Sequence, residues 1–199
     1  VNADLVGKFV NLASRCAGFI EKRFDGRLAD ALPDPAMYQR FVEALQPIQD
    51  AYERNDAAAA LRLTMALADE ANKNIDERKP WVIAKQPGAD AELQAVCTQG
   101  LNLFRILAAA LKPVLPRTSA EADAFLSAPV VMWRDVAAPL QGHTIQAYSP
   151  LFTRIDPKLI DAMTDASKDT LAAAPAAAPA SKAVAAKPAE AQTPRDSAF

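Results

Sequence analysis

The sequence predicts an all-α protein. The expected architecture is a helix bundle of about five main helices, with an irregular C-terminal segment and a final helix packed on it. Three observations carry this. Apolar residues recur at three- and four-residue spacing over long stretches, and nowhere is a strict two-residue alternation sustained. Alanine is abundant, whereas only 6 of the 199 residues are glycine, a balance that favours helix over sheet. Proline and Asp-Pro pairs punctuate the chain where helices should stop and start.

The elements follow in order. A first helix is capped by Asn2 or Asp4 and runs to about Lys22 or Phe24, burying Leu12, Ala13, Cys16, Ala17, Phe19 and Ile20. Asp25-Gly26 is a turn signal, and Pro33 and Pro35 forbid helix behind them. Asp34-Pro35 reads as the cap and first position of a second helix reaching about Arg54, kinked or split near Leu45 by Pro47. A third begins after Asn55-Asp56, with Leu61, Met65, Leu67 or Ala68, Ala71 and Ile75 inward. It stops before Pro80, since the residue preceding a proline avoids the helical region. Asp90 is expected to cap a fourth, with a stripe of Leu93, Val96, Cys97, Leu101, Phe104, Leu107 and Leu111 that ends at Pro113 and Pro116. Thr118 or Ser119, with Glu121 or Asp123 downstream, starts a short fifth helix to about Leu126. From 129 to 155 the signals are mixed and point to an extended segment packed on the bundle. Asp156-Pro157 opens a last helix to about Lys168. Residues 1–169 form one domain on this reading. In residues 170–199, Pro175, Pro179, Pro188 and Pro194 cut an alanine-rich run into pieces with little apolar area to bury, which reads as a linker or disordered tail.

Several function classes are excluded. A net charge of −2 does not announce a nucleic-acid binder, so any RNA role needs a local surface. No 18-residue apolar run marks a membrane span. Cys16 and Cys97 lack the clustered spacing of zinc ligands and read as buried thiols, so no metal is expected. His143, the only histidine, follows Gly142 in a loop with no nucleophile in a recognisable setting. The glycines are scattered and build no phosphate cradle. Asp69, Glu70, Asp76 and Glu77 read as a solvated helix face. No catalytic residue is expected.

Two features remain. Asn11, Arg15, Gly18 and Lys22 fall within a sector of roughly 60° on the first helix, bordered by Lys8. Arg15 offers a planar fork of donors, and Asn11 offers both donors and an acceptor. One turn apart, they can converge on a planar polar object such as a nucleobase edge, or simply face solvent. The second is Trp81, directly after Pro80, with Lys73, Arg78, Lys79 and Lys85 nearby in sequence. An indole at such a corner is either a plug sealing the bundle, as Val82 and Ile83 suggest, or a stacking platform for an unpaired base.

Taken together, "NADLVGKFVNLASRCAGFIEKRFDG", "MALADEANKNIDERKPWVIAK", "LQAVCTQGLNLFRILAAALKPVLP" and "PLFTRID" resemble, in the same order, the anticodon-binding domains of methionyl-tRNA synthetases. The resemblance covers most of residues 1–168. Helical anticodon domains of the valine, isoleucine, leucine and cysteine enzymes share the fold, but Asn-x₃-Arg on the first helix combined with Lys-Pro-Trp after the third is more specific to the methionine family. The resemblance implies that Asn11 and Arg15 contact a CAU anticodon, that Trp81 stacks on its first base, and that Pro80 positions the tryptophan. Lys8, Lys22 and Lys85 become candidate peripheral RNA contacts. Pro47 departs from the uninterrupted second helix that the resemblance implies.

The family's His-x-Gly-His and Lys-Met-Ser-Lys-Ser signatures, which bind ATP in the catalytic domain, do not occur here. The chain, which begins at Val1, is therefore expected to be a non-catalytic piece of a cytoplasmic ligase. ATP, and any zinc, would belong to a preceding catalytic domain, which is an expected partner together with tRNA. A dimerising module would follow the Ala/Pro-rich linker. Two alternatives stand beside this: an all-helical protein-interaction scaffold, and the anticodon domain of a sister synthetase.

Overall fold

A computed structural model describes residues 7–151, 158 and 160–165. Chain contacts divide the protein between Ile155 and Asp156. Among the described residues of the first unit lie seven α-helices: α1 (Asn11–Phe24), α2 (Pro35–Glu43), α3 (Leu45–Glu53), α4 (Ala57–Arg78), α5 (Pro80–Ile83), α6 (Asp90–Leu111) and α7 (Pro116–Leu126). A 3₁₀ turn covers Trp133–Val136, and a single bridge between Arg27 and Thr144 is the only β pairing among the described residues. The all-α expectation holds. In the second unit, Lys158 and residues 160–165 are helical. The expected cap at Asn2 or Asp4, the start of the last helix at Asp156-Pro157 and the tail at 170–199 lie outside the described residues.

α6 is the hub. Every residue from Val96 to Leu111 is buried, and α6 touches each of the other six helices. A helix apolar on only one stripe would lie at the surface; one buried all round is the centre of the core. Close approach is set at Gly100, where a Cβ would lie 2.6 Å from Cys16 Sγ on α1 and 3.1 Å from Ile75 Cδ1 on α4. The two cysteines are buried and unbridged, as expected of structural thiols. A hydrogen bond with Cys16, reinforced by burial, pushes the Cys97 thiol far above its ordinary value.

Being central, α6 must satisfy polar groups without water. Gln94, Thr98, Asn102 and Arg105 recur on one face and hold two irregular segments. Gln94 donates to the Arg27 carbonyl at 2.9 Å, and Thr98 Oγ1 accepts from Ala29 N at 2.9 Å. Asn102 clasps Leu140 in both directions, at 3.0 and 2.6 Å, while Arg105 donates to the carbonyls of Asp135 and Ala138. The two segments also bind each other, through Leu28 N to the His143 carbonyl at 2.8 Å and Gly142 N to the Ala29 carbonyl at 2.9 Å. The Asp25-Gly26 turn that starts this pairing needs its glycine: φ is +78°, and a Cβ would sit 2.8 Å from the Ile145 carbonyl.

Four expectations need correction. Asp90 does not cap α6: the cap position is Ala89, and Asp90 instead pairs with Arg23 on α1 at 3.0 Å. α7 starts at Pro116, whose fixed φ suits the first turn, and Thr118 and Ser119 are buried within it. Ser119 donates to the Ala108 carbonyl of α6 at 2.8 Å. α4 buries Ala60, Thr64, Ala68, Ala71 and Ile75, whereas Leu61, Met65 and Leu67 are only half-buried. Small residues rather than large ones face inward because α4 lies close against α6 and α3. Asp69, Glu70 and Asp76 are not merely solvated, since each pairs with a cation from outside α4: Lys8 just before α1, Arg40 on α2 and Arg15 on α1. The split of the second helix came where expected, at Ala44. Pro47 then falls in the first turn of α3, where no intrahelical N–H is needed.

Two outcomes follow. Gly100→Ala should lower stability by about 1–3 kcal/mol through overpacking, and pairing it with Cys16→Ala should recover part of that loss in thermal melts. Tyr38, which donates to the Val136 carbonyl at 2.6 Å, has its phenol pKa pushed by burial from 10.0 to about 12. The folded state keeps this proton more tightly than the unfolded chain. Its contribution is therefore complete below pH 10 and lost as pH rises towards 12. Alkaline unfolding of Tyr38→Phe should show a shallower pH dependence over that window.

Candidate nucleic-acid interface

α1 and α4 meet along a polar seam. Lys8 pairs with Asp69 at 2.9 Å, Asn72 donates to the Lys8 carbonyl at 2.8 Å, and Arg15 pairs with Asp76. Both partners advance by seven residues from one ion pair to the next, so the two helices run parallel here. The matched spacing was present in the sequence, but its pairing required knowing which helices are neighbours.

The end of α4 sets the tryptophan. Lys79 adopts a left-handed conformation, φ 49°, which stops the helix, and Pro80 restarts the chain as the first residue of α5. Val82 N and Ile83 N bond back to the Lys79 carbonyl at 2.8 and 3.2 Å. Pro80 and Ile83 turn inward and are buried, so they seal the bundle. Trp81 remains 37% exposed. Of the two readings open for this indole, the plug is therefore filled by its neighbours.

Arg15 joins the two elements. Its guanidinium carbon lies 4.6 Å from the centroid of the Trp81 ring while the same group pairs with Asp76. A cation over an indole is attracted by the ring quadrupole, typically by about 0.5–1 kcal/mol where solvent reaches it. Beside the stack runs an open groove of about 460 Å³, lined by Ser14, Arg15, Gly18, Phe19, Lys22, Arg23 and Trp81. Its wall is largely carbon, and cationic groups lie along its rim. Arg23 is anchored on both sides, to Asp90 at 3.0 Å and to the Ala84 carbonyl at 2.6 Å.

The structure thus brings Arg15, Trp81 and Lys22 to one groove, with buried Pro80 behind the indole. Asn11 is half-buried one turn before Arg15, and its side chain makes no hydrogen bond among the described residues, but it does not line the groove. Lys8 is engaged by Asp69, and exposed Lys85 lies beyond α5; neither lines the groove. Ser14, Phe19, Arg23 and Asp76 were not anticipated as part of this surface. Their contributions depend on the approach of α4 and α5 to α1, which periodicity within one helix cannot report. His143 serves the fold, bonding through Nε2 to the Leu126 carbonyl at 2.7 Å. Among the described residues no three His, Cys, Asp or Glu side chains gather as a metal would require, and no helix is long and apolar enough to cross a membrane.

Comparison with known proteins gives this geometry a family. Residues 31–168 match the anticodon binding domain of methionyl tRNA ligase. The methionine–tRNA ligase of Xanthomonas axonopodis pv. citri (strain 306) is 78% identical over 188 residues, covering 94% of this chain and 26% of that protein. The methionine–tRNA ligase of Xanthomonas campestris pv. campestris (strain 8004) is 80% identical over 173 residues, covering 87% of this chain and 25% of that protein. The chain therefore spans about a quarter of the length of the curated relatives it matches. The apo crystal structure of Mycobacterium tuberculosis methionyl-tRNA synthetase shares the fold, with a TM-score of 0.72 at 23% identity over 78% of this chain and 33% of that one. From the match over residues 31–168, the chain belongs to the family of anticodon-binding domains of methionyl-tRNA ligases.

Proposed function

We propose that this domain reads the CAU anticodon of methionine-accepting tRNAs for a ligase that attaches methionine with ATP. The observation that carries the reading is the Arg15–Trp81 stack on an exposed groove. It joins the Asn-x₃-Arg and Lys-Pro-Trp segments that resemble the family's recognition residues. An indole held at a rigid corner offers a face to an unpaired base, and stacking tolerates any base. Discrimination then falls to groups with directional donors and acceptors. Arg15, whose fork is steadied by Asp76, can present its remaining donors to a base edge, and Asn11 adds an amide one turn away. Pro80 fixes the backbone that carries Trp81. Lys22, at the groove, is the best placed of the three peripheral lysines for a phosphate; Lys8 and Lys85 contribute at longer range.

In this reading the domain extends to about residue 169, consistent with a family match that ends at 168, and residues 170–199 are a linker. The whole ligase works in the cytoplasm, with a catalytic domain that uses ATP, and zinc where a zinc-binding insertion is present. A dimerising module would follow the linker. The scaffold alternative required a buried Trp81, and the 37% exposure of that side chain argues against it.

Binding of anticodon stem-loops at two salt concentrations tests the reading. Trp81→Ala should cost about 1–3 kcal/mol, or roughly ten- to a hundredfold in affinity. Arg15→Gln should narrow the gap between the CAU loop and one altered in its first two bases, whereas Trp81→Phe should weaken both more evenly. The salt dependence should be shallow for so slightly acidic a chain. In the whole ligase, the same substitutions should lower tRNA aminoacylation and leave methionyl-adenylate formation intact. If Arg15→Gln and Trp81→Ala both bind the CAU loop as tightly as the parent, neither residue reads the anticodon.

A further inference from the structure

Gly18 stands in the middle of α1, between the buried pair Cys16-Ala17 on one side and buried Ile20 on the other. An interior helical glycine destabilises by roughly 0.5–1 kcal/mol relative to alanine, so its presence needs a cause. At Gly26, Gly88, Gly100 and Gly142 the cause is visible. Gly26, Gly88 and Gly142 have φ of +78°, +76° and +56°, and a Cβ at Gly100 would collide with Cys16. Gly18 has neither excuse. Its φ is ordinary, and beyond its chain neighbours and its own helix backbone a Cβ built there meets nothing within 4 Å, the Trp81 ring included. The fold would accept alanine.

The space above Gly18 is the floor of the groove. Phe19 and Trp81 supply aromatic walls, Arg15 already lies against the indole, and Lys22 stands one turn further along. Carbon walls with a cationic rim suit a flat, uncharged ring attached to an anionic backbone, which is the chemistry of a nucleotide. A side chain at position 18 would project into the volume such a ring must occupy. We propose that the bare turn of α1 at Gly18 is itself an RNA contact: an unpaired nucleobase packs against the exposed backbone between Trp81 and Phe19, with Lys22 facing its phosphate. This rests on the anticodon reading and adds to it a seat defined by the absence of a side chain.

Gly18→Ala and Gly18→Leu in the 199-residue chain separate the two ideas when compared with Trp81→Ala. Because alanine favours helix and its Cβ meets open space, the melting temperature of Gly18→Ala should hold or rise, by about 2–4 °C. Affinity for a CAU anticodon stem-loop should fall several-fold with alanine and tenfold or more with leucine. A Gly18→Leu protein that melts like the parent and binds the stem-loop as tightly, while Trp81→Ala has lost binding, overturns the seat and leaves the anticodon reading standing. Undiminished binding by Gly18→Leu, Trp81→Ala and Arg15→Gln alike removes both. A melting temperature that drops by many degrees in Gly18→Ala would show that the fold demands the glycine, and would also overturn the proposal.

Discussion

A helix buried on every side from Val96 to Leu111 leaves its polar residues little access to water, so they draw partners from whatever crosses it. α6 is such a helix, and the rest of the unit is arranged around it. The Gln94, Thr98, Asn102 and Arg105 ladder takes up backbone groups from two irregular segments that would otherwise be desolvated without partners. An unsatisfied buried donor or acceptor costs about 1–3 kcal/mol. The loops after α1 and after α7 are therefore as tightly specified as the helices. The Arg27–Thr144 bridge is a consequence: two strands of chain pinned to one helix face lie close enough to pair.

The same hub places the interface. Gly100 lets α1 and α4 close on α6 from adjacent sides, and their common approach makes them parallel neighbours. The parallel seam fixes the register in which Lys8 meets Asp69 and Arg15 meets Asp76. The left-handed Lys79 and Pro80 then swing α5 back across the end of the bundle, under Arg15. A surface assembled from residues far apart in sequence thus depends on a packing contact in the core.

Much of this could be read from the residues. Asp34-Pro35, Asp56 and the prolines marked helix ends because capping and φ restriction are local effects. The Asp34 and Asp56 carboxylates do accept from Met37 N and Ala59 N. Asn11, Arg15 and Trp81 were named from spacing and corner geometry, and Arg15 and Trp81 prove to be in contact. What stayed hidden was set between elements. Asp90 looked like a cap until Arg23 claimed it, Ser119 until the Ala108 carbonyl did. Thr64 and Ala60 displaced Leu61 and Met65 from the inner face of α4, because residue size mattered more than hydrophobicity where two backbones approach. A single helix carries no record of how close its neighbour will come.

The Arg15–Trp81 stack has a further consequence, for the thermodynamics of association. Guanidinium and indole have already shed the water between them and lost much of their rotamer freedom within the folded protein. Immobilising such side chains on binding commonly costs about 0.5–1.5 kcal/mol each. Here that ordering belongs to folding instead. A partner arriving at the far face of the indole meets a surface that is rigid before contact, and the heat-capacity change of binding then reflects the apolar area covered rather than any coupled folding of the domain.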